Sequence, residues 1–231
     1  MTMERALIVA AHPDDEILGC GGVIAKLAAE KKSVYVVWLT GGILSRHNQK
    51  HSSAAAELAL IRANALTAMS LLGVGESNLN FLGYEDQKLD TVPFLDLVKS
   101  LKQIIQEVKP NCVFTHHSGD YNKDHRVTFE ATLYATRASP GEFSPQKLYT
   151  YEVLSSTERS FSSFGAFEPN TYIDVSQYIE KKQSALGCYE TELKSFPHPR
   201  SKEGLQILAR HRGMEVGLSC AEAFHLVRSI E

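Results

Sequence analysis

Cysteine is scarce in this chain, and neither sign of charge is in large excess. The four cysteines lie far apart and form no C-x-x-C pair, which excludes a disulfide scaffold and a cysteine-based zinc site. The 24 basic and 27 acidic residues give a formal net charge of −3. Because a nucleic-acid-binding protein needs a basic face, this balance argues against a nucleic-acid partner.

Long hydrophobic runs and low-complexity segments are also missing. The first apolar run, residues 6–9, is too short for the core of a signal peptide and far too short for a membrane span. No internal repeat or linker divides the 231 residues. We therefore expect a single domain over residues 1–231, cytoplasmic and without a membrane partner. The sequence leaves open whether identical chains assemble.

Strand-length apolar runs alternate with helical patterns through the first half of the chain. The predicted strands are residues 6–9, 33–40, 78–82 and 112–115, and a helix is predicted after each of the first three. Such alternation indicates a parallel sheet with right-handed crossovers. We expect an α/β fold, a Rossmann-like three-layer sandwich with a mostly parallel central sheet.

The second half of the chain has a less regular pattern. Helices are predicted at residues 127–137, 176–193 and 203–212, and strands at residues 148–153 and 172–175. Residues 221–228 are predicted to close the chain as a helix or as an edge strand. A polar stretch without periodicity, residues 41–50, predicts a loop after the second strand.

Two polar clusters follow the first and fourth predicted strands, at residues 10–16 and 116–126. In the common strand order 3-2-1-4 these two strands are neighbours, and the order of the chain reverses between them. Ligands of open α/β sheets bind at such a switch point, outside the carboxyl ends of the strands. The sequence thus predicts a site at the C-terminal edge of the sheet, where the two clusters meet.

The residue types in these clusters suit a metal. His12 and Asp15 lie three residues apart across a helix entry, and His125 can supply a third ligand. Two nitrogens and one carboxylate oxygen are typical of an open zinc site with room for a water, so we expect one Zn²⁺ per chain, which other divalent transition metals can replace. Asp14, beside a ligand, is the predicted general base. A well-capped helix start alone would explain the acids but not His12.

The downstream cluster offers further catalytic groups. Asp124 is predicted to orient an imidazole, since ligating histidines usually donate their second N–H to an acceptor. His116, at the end of a strand, is predicted to protonate the leaving amine or to hold the oxyanion, and we prefer it to His117, which would point to the opposite side. A hydrogen-bonded loop role is the competing interpretation for both histidines.

Three further residues are candidates for substrate binding. Arg62 lies on the second predicted helix, Asp86 lies in the exit loop of the third strand, and Asn122 lies in the downstream cluster. Exit loops line the rim of the predicted site, which favours Asp86. Ordinary turn formation explains an aspartate in such a loop equally well, and a solvated surface is the usual place of an arginine.

These motifs resemble those of the LmbE-like or PIG-L deacetylase superfamily. Residues 11–16 match its A-H-P-D-D-E signature, and residues 124–125 match the end of its H-x-D-H signature. The resemblance implies a zinc-dependent enzyme that removes the acetyl group from an N-acetylglucosamine unit carried by lipid, inositol, malate or another sugar. An amidase acting on a related sugar-thiol conjugate is the alternative within the family.

The resemblance also assigns roles to residues. It gives metal ligation to His12, Asp15 and His125 and the general base to Asp14. Asn122 stands where the second signature has its first histidine, which leaves His116 as a candidate for that histidine's task. The predicted function is therefore a metal-dependent hydrolase that deacetylates an N-acetylated amino sugar, a small-molecule substrate.

Two other classes of protein fit part of the pattern. A dinucleotide-binding module is suggested by Gly19, Gly21 and Gly22, but these glycines follow the predicted helix start, and the second strand lacks a terminal acid to hold a ribose. A non-haem iron oxygenase also uses two histidines and one carboxylate, yet its chemistry has no need of Asp14.

Overall fold

The structure, a computed structural model, describes residues 3–41 and 52–231. The loop predicted at residues 41–50 therefore lies, except for Gly41, outside the described residues. The strands are β1 (Arg5–Ala10), β2 (Ser33–Thr40), β3 (Leu79–Tyr84), β4 (Cys112–His116), β5 (Lys147–Tyr151), β6 (Thr171–Asp174) and β7 (Ala221–Ser229). The helices are α1 (Asp15–Ala29), α2 (Ser52–Leu72), α3 (Phe94–Val108), α4 (Lys123–Ala135), α5 (Ile179–Leu186) and α6 (Lys202–Met214).

The strands form one mixed sheet in the order β3-β2-β1-β4-β5-β7-β6. The five strands β1 to β5 are parallel to one another. Ile8 in the centre of β1 pairs with Val36 on one side and Phe114 on the other. The predicted order 3-2-1-4 is confirmed. Strand β7 pairs antiparallel with both β5 and β6, so it is an inner strand, and both the helix and the edge strand predicted for residues 221–228 were wrong.

Helices cover both faces of this sheet, which confirms the three-layer sandwich. Along β1, Ile8 belongs to the core formed with α1, α2, α5 and α6, whereas its neighbour Leu7 belongs to the core formed with α3 and α4. Both side chains are completely buried. A strand buried on both faces has to be apolar at every position, which explains the unbroken run at residues 6–9.

Two helices depart from their predicted bounds by four residues or more at one end. Helix α4 begins at Lys123, four residues before the predicted start, because the side chain of Asn122 caps it by accepting a hydrogen bond from the backbone N–H of Asp124 at 2.9 Å. Helix α5 ends at Leu186, seven residues before the predicted end. The chain then turns, and Tyr189 reaches back to α1. Among the described residues, no helix combines the length and the apolarity that a membrane span needs.

Candidate metal centre

The C-terminal ends of β1 and β4 hold the predicted site. Residues 11–14 connect β1 to α1, and the first turn of α4 carries Asp124 and His125. The structure brings together the three predicted metal ligands, which lie within 4.8 Å of one another. Nδ1 of His12 lies 3.1 Å from Oδ2 of Asp15 and 3.3 Å from Nε2 of His125, and the Asp15 oxygen lies 3.2 Å from the same Nε2. These three atoms form a nearly equilateral triangle.

Carboxylates fix the second nitrogen of each histidine. Nε2 of His12 lies 3.1 Å from Oδ2 of Asp124 and 3.1 Å from Oδ1 of Asp86, and Nδ1 of His125 lies 3.1 Å from Oδ1 of Asp120. A neutral imidazole that donates one N–H to a carboxylate presents its other nitrogen as a lone pair. The triangle is then lined by three acceptor atoms.

Three acceptors with no proton between them need a cation. Ligands at about 2.0 Å from a tetrahedral zinc lie about 3.3 Å from one another, which is close to the edges of this triangle. The second oxygen of Asp15, Oδ1, is buried and has no hydrogen-bond partner among the described residues. The donor set and its spacing therefore fit a divalent transition-metal ion.

The electrostatic field at the triangle also favours positive charge. Burial by itself lowers the pKa of His12, yet its bonds to Asp124, Asp15 and Asp86 hold that pKa well above the ordinary value. Burial likewise opposes charge on His125, but the two aspartates that face it, Asp15 and Asp120, raise its pKa to about 9. The carboxylates that stabilise protons on these rings also stabilise a bound metal ion.

Asp14 lies beside the triangle, with a positive backbone φ of 114°. Its Oδ2 accepts a hydrogen bond of 2.8 Å from Nη1 of Arg200, which also contacts Oε2 of Glu192 at 2.9 Å. Burial raises the pKa of Asp14 to about 8, although the guanidinium of Arg200 opposes this. The loop between prolines that carries this arginine indicates at most a substrate-binding residue from sequence, and no local pattern linked it to Asp14, 186 residues away.

His116 and His117 point to different places. His116 is completely buried, its ring stacks on that of His125 at 3.9 Å, and its Nε2 accepts the backbone N–H of Ala11 at 2.9 Å. Burial holds its pKa well below the ordinary value. His117 instead lies 3.2 Å from the carbonyl oxygen of Gly165, away from the triangle.

The carboxylate that orients each histidine is not the one nearest to it in the sequence. Asp124 contacts His12, not its chain neighbour His125, and it also accepts the backbone N–H groups of Gln87 and Leu89 at 2.8 and 3.1 Å. Asp120, which the sequence did not single out, orients His125. Its position in the same polar cluster was the available signal.

Two hydroxyls from the segment that follows β5 bind Asp120. It accepts hydrogen bonds from the hydroxyls of Ser156 and Thr157 at 2.5 and 2.6 Å. Burial alone would raise its pKa, but His125 and these bonds hold it well below the ordinary value. No sequence pattern indicated the two hydroxyl residues, because they follow a different strand.

Of the three predicted substrate-binding residues, only Asp86 contacts a predicted metal-ligand side chain. Asp86 lies against His12, as described above. Asn122 caps α4 through its side-chain oxygen. Arg62 is exposed on α2 with its guanidinium 4.8 Å from the ring centroid of Phe81, and the structure shows it in no contact with the triangle.

The glycines that suggested a dinucleotide site serve packing. Gly19 and Gly22 lie inside α1. A Cβ on Gly19 would lie 2.2 Å from the ring of Tyr151, and one on Gly22 would lie 2.8 Å from Val175. Only glycine allows the helix to approach these side chains so closely.

Known proteins resemble this chain over most of its length. YaiS of Escherichia coli K12, described as an uncharacterized deacetylase, is 31% identical over 198 residues, which cover 78% of this chain and 87% of that protein. The probable N-acetyl-alpha-D-glucosaminyl L-malate deacetylase 2 of Bacillus cereus is 27% identical over 197 residues, which cover 84% of this chain and 86% of that protein.

Among solved structures, the 4-carboxy-2-hydroxymuconate hydratase GalB of Pseudomonas putida KT2440 matches with a TM-score of 0.77 and 24% identity, covering 99% of each chain. A likeness at this identity shows the fold alone. The family model described as PIG-L, GlcNAc-PI de-N-acetylase, matches residues 7–136, the segment that carries both signatures. The chain therefore belongs to the PIG-L (LmbE-like) de-N-acetylase family.

Proposed function

We propose that this protein removes the acetyl group from an N-acetylated amino sugar, an N-acetylglucosamine-type conjugate, with a divalent metal held by His12, Asp15 and His125. The observation that carries the proposal is the triangle of acceptor atoms, 3.1 to 3.3 Å apart, with a buried carboxylate beside it. The chemistry that a bound zinc ion supplies is polarisation of the acetyl carbonyl and a lower pKa for the attacking water.

Asp14 is the general base in this proposal. A base works best when its pKa lies near the working pH, and burial raises the pKa of Asp14 to about 8. The hydrogen bond from Arg200 fixes the orientation of the carboxylate. Asp14 can then accept the proton of the attacking water.

The proton for the leaving amine has to come from a group that can release it. His116 was the candidate from sequence, but it is completely buried, and its Nε2 already accepts the N–H of Ala11. We therefore assign delivery of the proton to Asp14, which carries a proton after the attack, and we assign His116 a role in packing the ring of His125.

The sugar specificity is supported by the family and by the B. cereus relative, whose description names an N-acetylglucosaminyl substrate. The exit loop of β3 reaches the triangle through Asp86. We propose that this residue contacts a sugar hydroxyl and that Arg62 contacts the more distant part of the conjugate. Asn122 is left out because its oxygen caps α4.

The test is release of acetate and amine from a panel of N-acetylglucosamine conjugates by the zinc-loaded protein, with metal content measured in parallel. Asp14→Asn should keep the metal and lose about 10²- to 10⁴-fold in kcat, the range expected for a general base. Asp15→Asn should lose metal, and excess zinc should restore part of the activity. If the acids only cap the helix, the two variants will behave alike.

Several outcomes would contradict the proposal. Equal turnover of N-acetylated hydrophobic amino acids would contradict sugar specificity, and cleavage of a sugar-thiol conjugate alone would favour the amidase alternative. Saturable binding of NAD without hydrolysis would favour the dinucleotide-binding alternative. Oxygen-dependent turnover that needs iron would favour an oxygenase.

A further inference from the structure

Glu16, the last residue of the first signature, is completely buried beside the site and has no place in the mechanism above. Three neutral groups donate hydrogen bonds to its carboxylate. Oε2 accepts the backbone N–H of Asp14 at 3.0 Å and Nε1 of Trp38 at 2.7 Å, and Oε1 accepts the hydroxyl of Tyr189 at 2.7 Å. Trp38 and Tyr189 are themselves buried.

The contact between Glu16 and Asp14 coincides with an unusual backbone conformation. Asp14 has φ 114° and ψ −29°, a region that residues with side chains rarely adopt. Its carbonyl oxygen accepts the N–H groups of Ile17 and Leu18 at 3.0 and 2.9 Å, which starts α1. The Asp14 peptide is therefore held on both sides, by the helix through its carbonyl and by Glu16 through its N–H.

A favourable helix-end charge does not account for this arrangement. An acid in the first turn needs only to lie near the helix N-terminus, and exposed positions suffice. Glu16 is instead buried between an indole from β2 and a phenol from the segment after α5. Its carboxylate is a fixed point from which the backbone of Asp14 is held.

We propose that Glu16 is a positioning residue for the reaction, which holds Asp14 in its positive-φ conformation so that the Asp14 carboxylate lies beside the three ligand atoms. The inference rests on the proposed role of Asp14 as base. Trp38 and Tyr189 in turn hold Glu16, so the indole and the phenol act on the base through it.

Glu16→Ala removes every acceptor at once and should lower kcat about 10- to 100-fold, because a displacement of about 1 Å at a catalytic group can cost that much. KM and metal content should stay within about threefold of wild type. Glu16→Gln should keep kcat within about threefold, since its amide oxygen still accepts from Asp14 and Trp38. The hydroxyl of Tyr189 can reverse and accept from the new NH₂.

A double-mutant cycle separates positioning from general support. If Glu16 acts through Asp14, then Glu16→Ala should lower the residual kcat of Asp14→Asn by less than about twofold. Glu222→Gln provides the matched control, because Glu222 is also a buried carboxylate bound to α1 but contacts Gly22 and Val23, more than two turns beyond Asp14. It should lower stability and leave kcat unchanged.

Trp38 is the only tryptophan in the chain, so its emission reports on this network without an activity assay. Glu16→Ala should shift the emission of Trp38, whereas Glu16→Gln should leave it close to wild type. If Glu16→Ala does not fold, Tyr189→Phe provides a milder test. It removes one of the three donors and should lower kcat about two- to tenfold with metal retained.

Four results would overturn the inference. The first is a folded, metal-loaded Glu16→Ala with the kcat of wild type, and the second is a Glu16→Gln as damaged as Glu16→Ala. The third is a loss of metal in proportion to kcat, which would make Glu16 a support for Asp15. The fourth is a Tyr189→Phe with the kcat and emission of wild type. Failure of the proposed function looks different, since the wild type would then deacetylate no member of the panel.

Discussion

Replacing Lys182 with methionine tests a buried ion pair. Lys182 lies on α5 and Glu222 on β7, and both side chains contact the backbone of α1. Nζ of Lys182 lies 2.7 Å from Oε1 of Glu222 and donates to the carbonyl oxygen of Leu18 at 2.8 Å, and both charged side chains are 4% exposed. The carboxylate of Glu222 accepts the backbone N–H groups of Gly22 and Val23 at 2.7 Å each. The pair thus holds the middle of the helix that begins at the metal site.

The expected cost follows from these contacts. Lys182→Met leaves the carboxylate of Glu222 buried without its cation, and breaking a buried pair in this way costs about 3 to 5 kcal/mol. Since total stability is about 5 to 15 kcal/mol, the loss is a large fraction of it. For a chain of this length, about 2 to 4 °C of melting temperature corresponds to 1 kcal/mol, so the melting temperature should fall by about 6 to 20 °C.

Urea unfolding measures the free-energy change directly. Lys26→Met is the control, because Lys26 lies on α1 itself but is only partly buried, and its Nζ donates to the carbonyl oxygen of Asp174 at 3.1 Å. It should cost less than about 0.5 kcal/mol. The double variant Lys182→Met with Glu222→Gln should recover part of the loss, since no unpaired charge remains. A Lys182→Met variant destabilised by less than about 1 kcal/mol would refute the reasoning.

The contacts around the ligands lead to further predictions. Asp120→Asn should lower zinc affinity about 10- to 100-fold, because it weakens the hold on His125, and a competition titration with a chelating dye measures this. Asp124→Asn should lower it more than Asp86→Asn, because Asp124 contacts His12 and also anchors the β3 exit loop through two backbone N–H groups; the reverse order would contradict the geometry. Zinc at about 100 times its dissociation constant should stabilise the protein by about 2.7 kcal/mol, and a chelator should reverse this in urea unfolding. Identical unfolding curves with zinc and with chelator would show that the folded protein does not bind zinc, which would contradict the metal site.

The sequence by itself determined the fold class and the parallel pairing of the first four strands, whose order was taken from the commonest arrangement. Residues 6–9 and 33–40 are apolar at nearly every position, as strands buried on both faces must be, and the alternation with helices specifies parallel pairing. The spacing of His12 and Asp15 across a helix entry is local, so it can be read without a structure. Because the carboxyl ends of β1 and β4 meet at the switch point, His125 was predictable as their partner.

Some boundaries depended on contacts that the local pattern does not contain. Residues 221–228 have the composition of a strand, but their place inside the sheet follows from pairing with both β5 and β6. Helix α5 is shorter than its periodicity predicts, and the turns that follow it bring Tyr189 to Glu16, 173 residues away.

The tertiary structure alone decided which side chains surround the site and the helix that begins there. Arg200 meets Asp14 across 186 residues, and Glu222 meets Gly22 across 200 residues. Asp124 lies next to His125 in the chain, yet it faces a different histidine, because the first turn of α4 points it toward β3. Local spacing determines what a residue can do, whereas the choice among chemically equivalent partners follows from how the strands and helices pack, and a single sequence does not encode that packing in any short pattern.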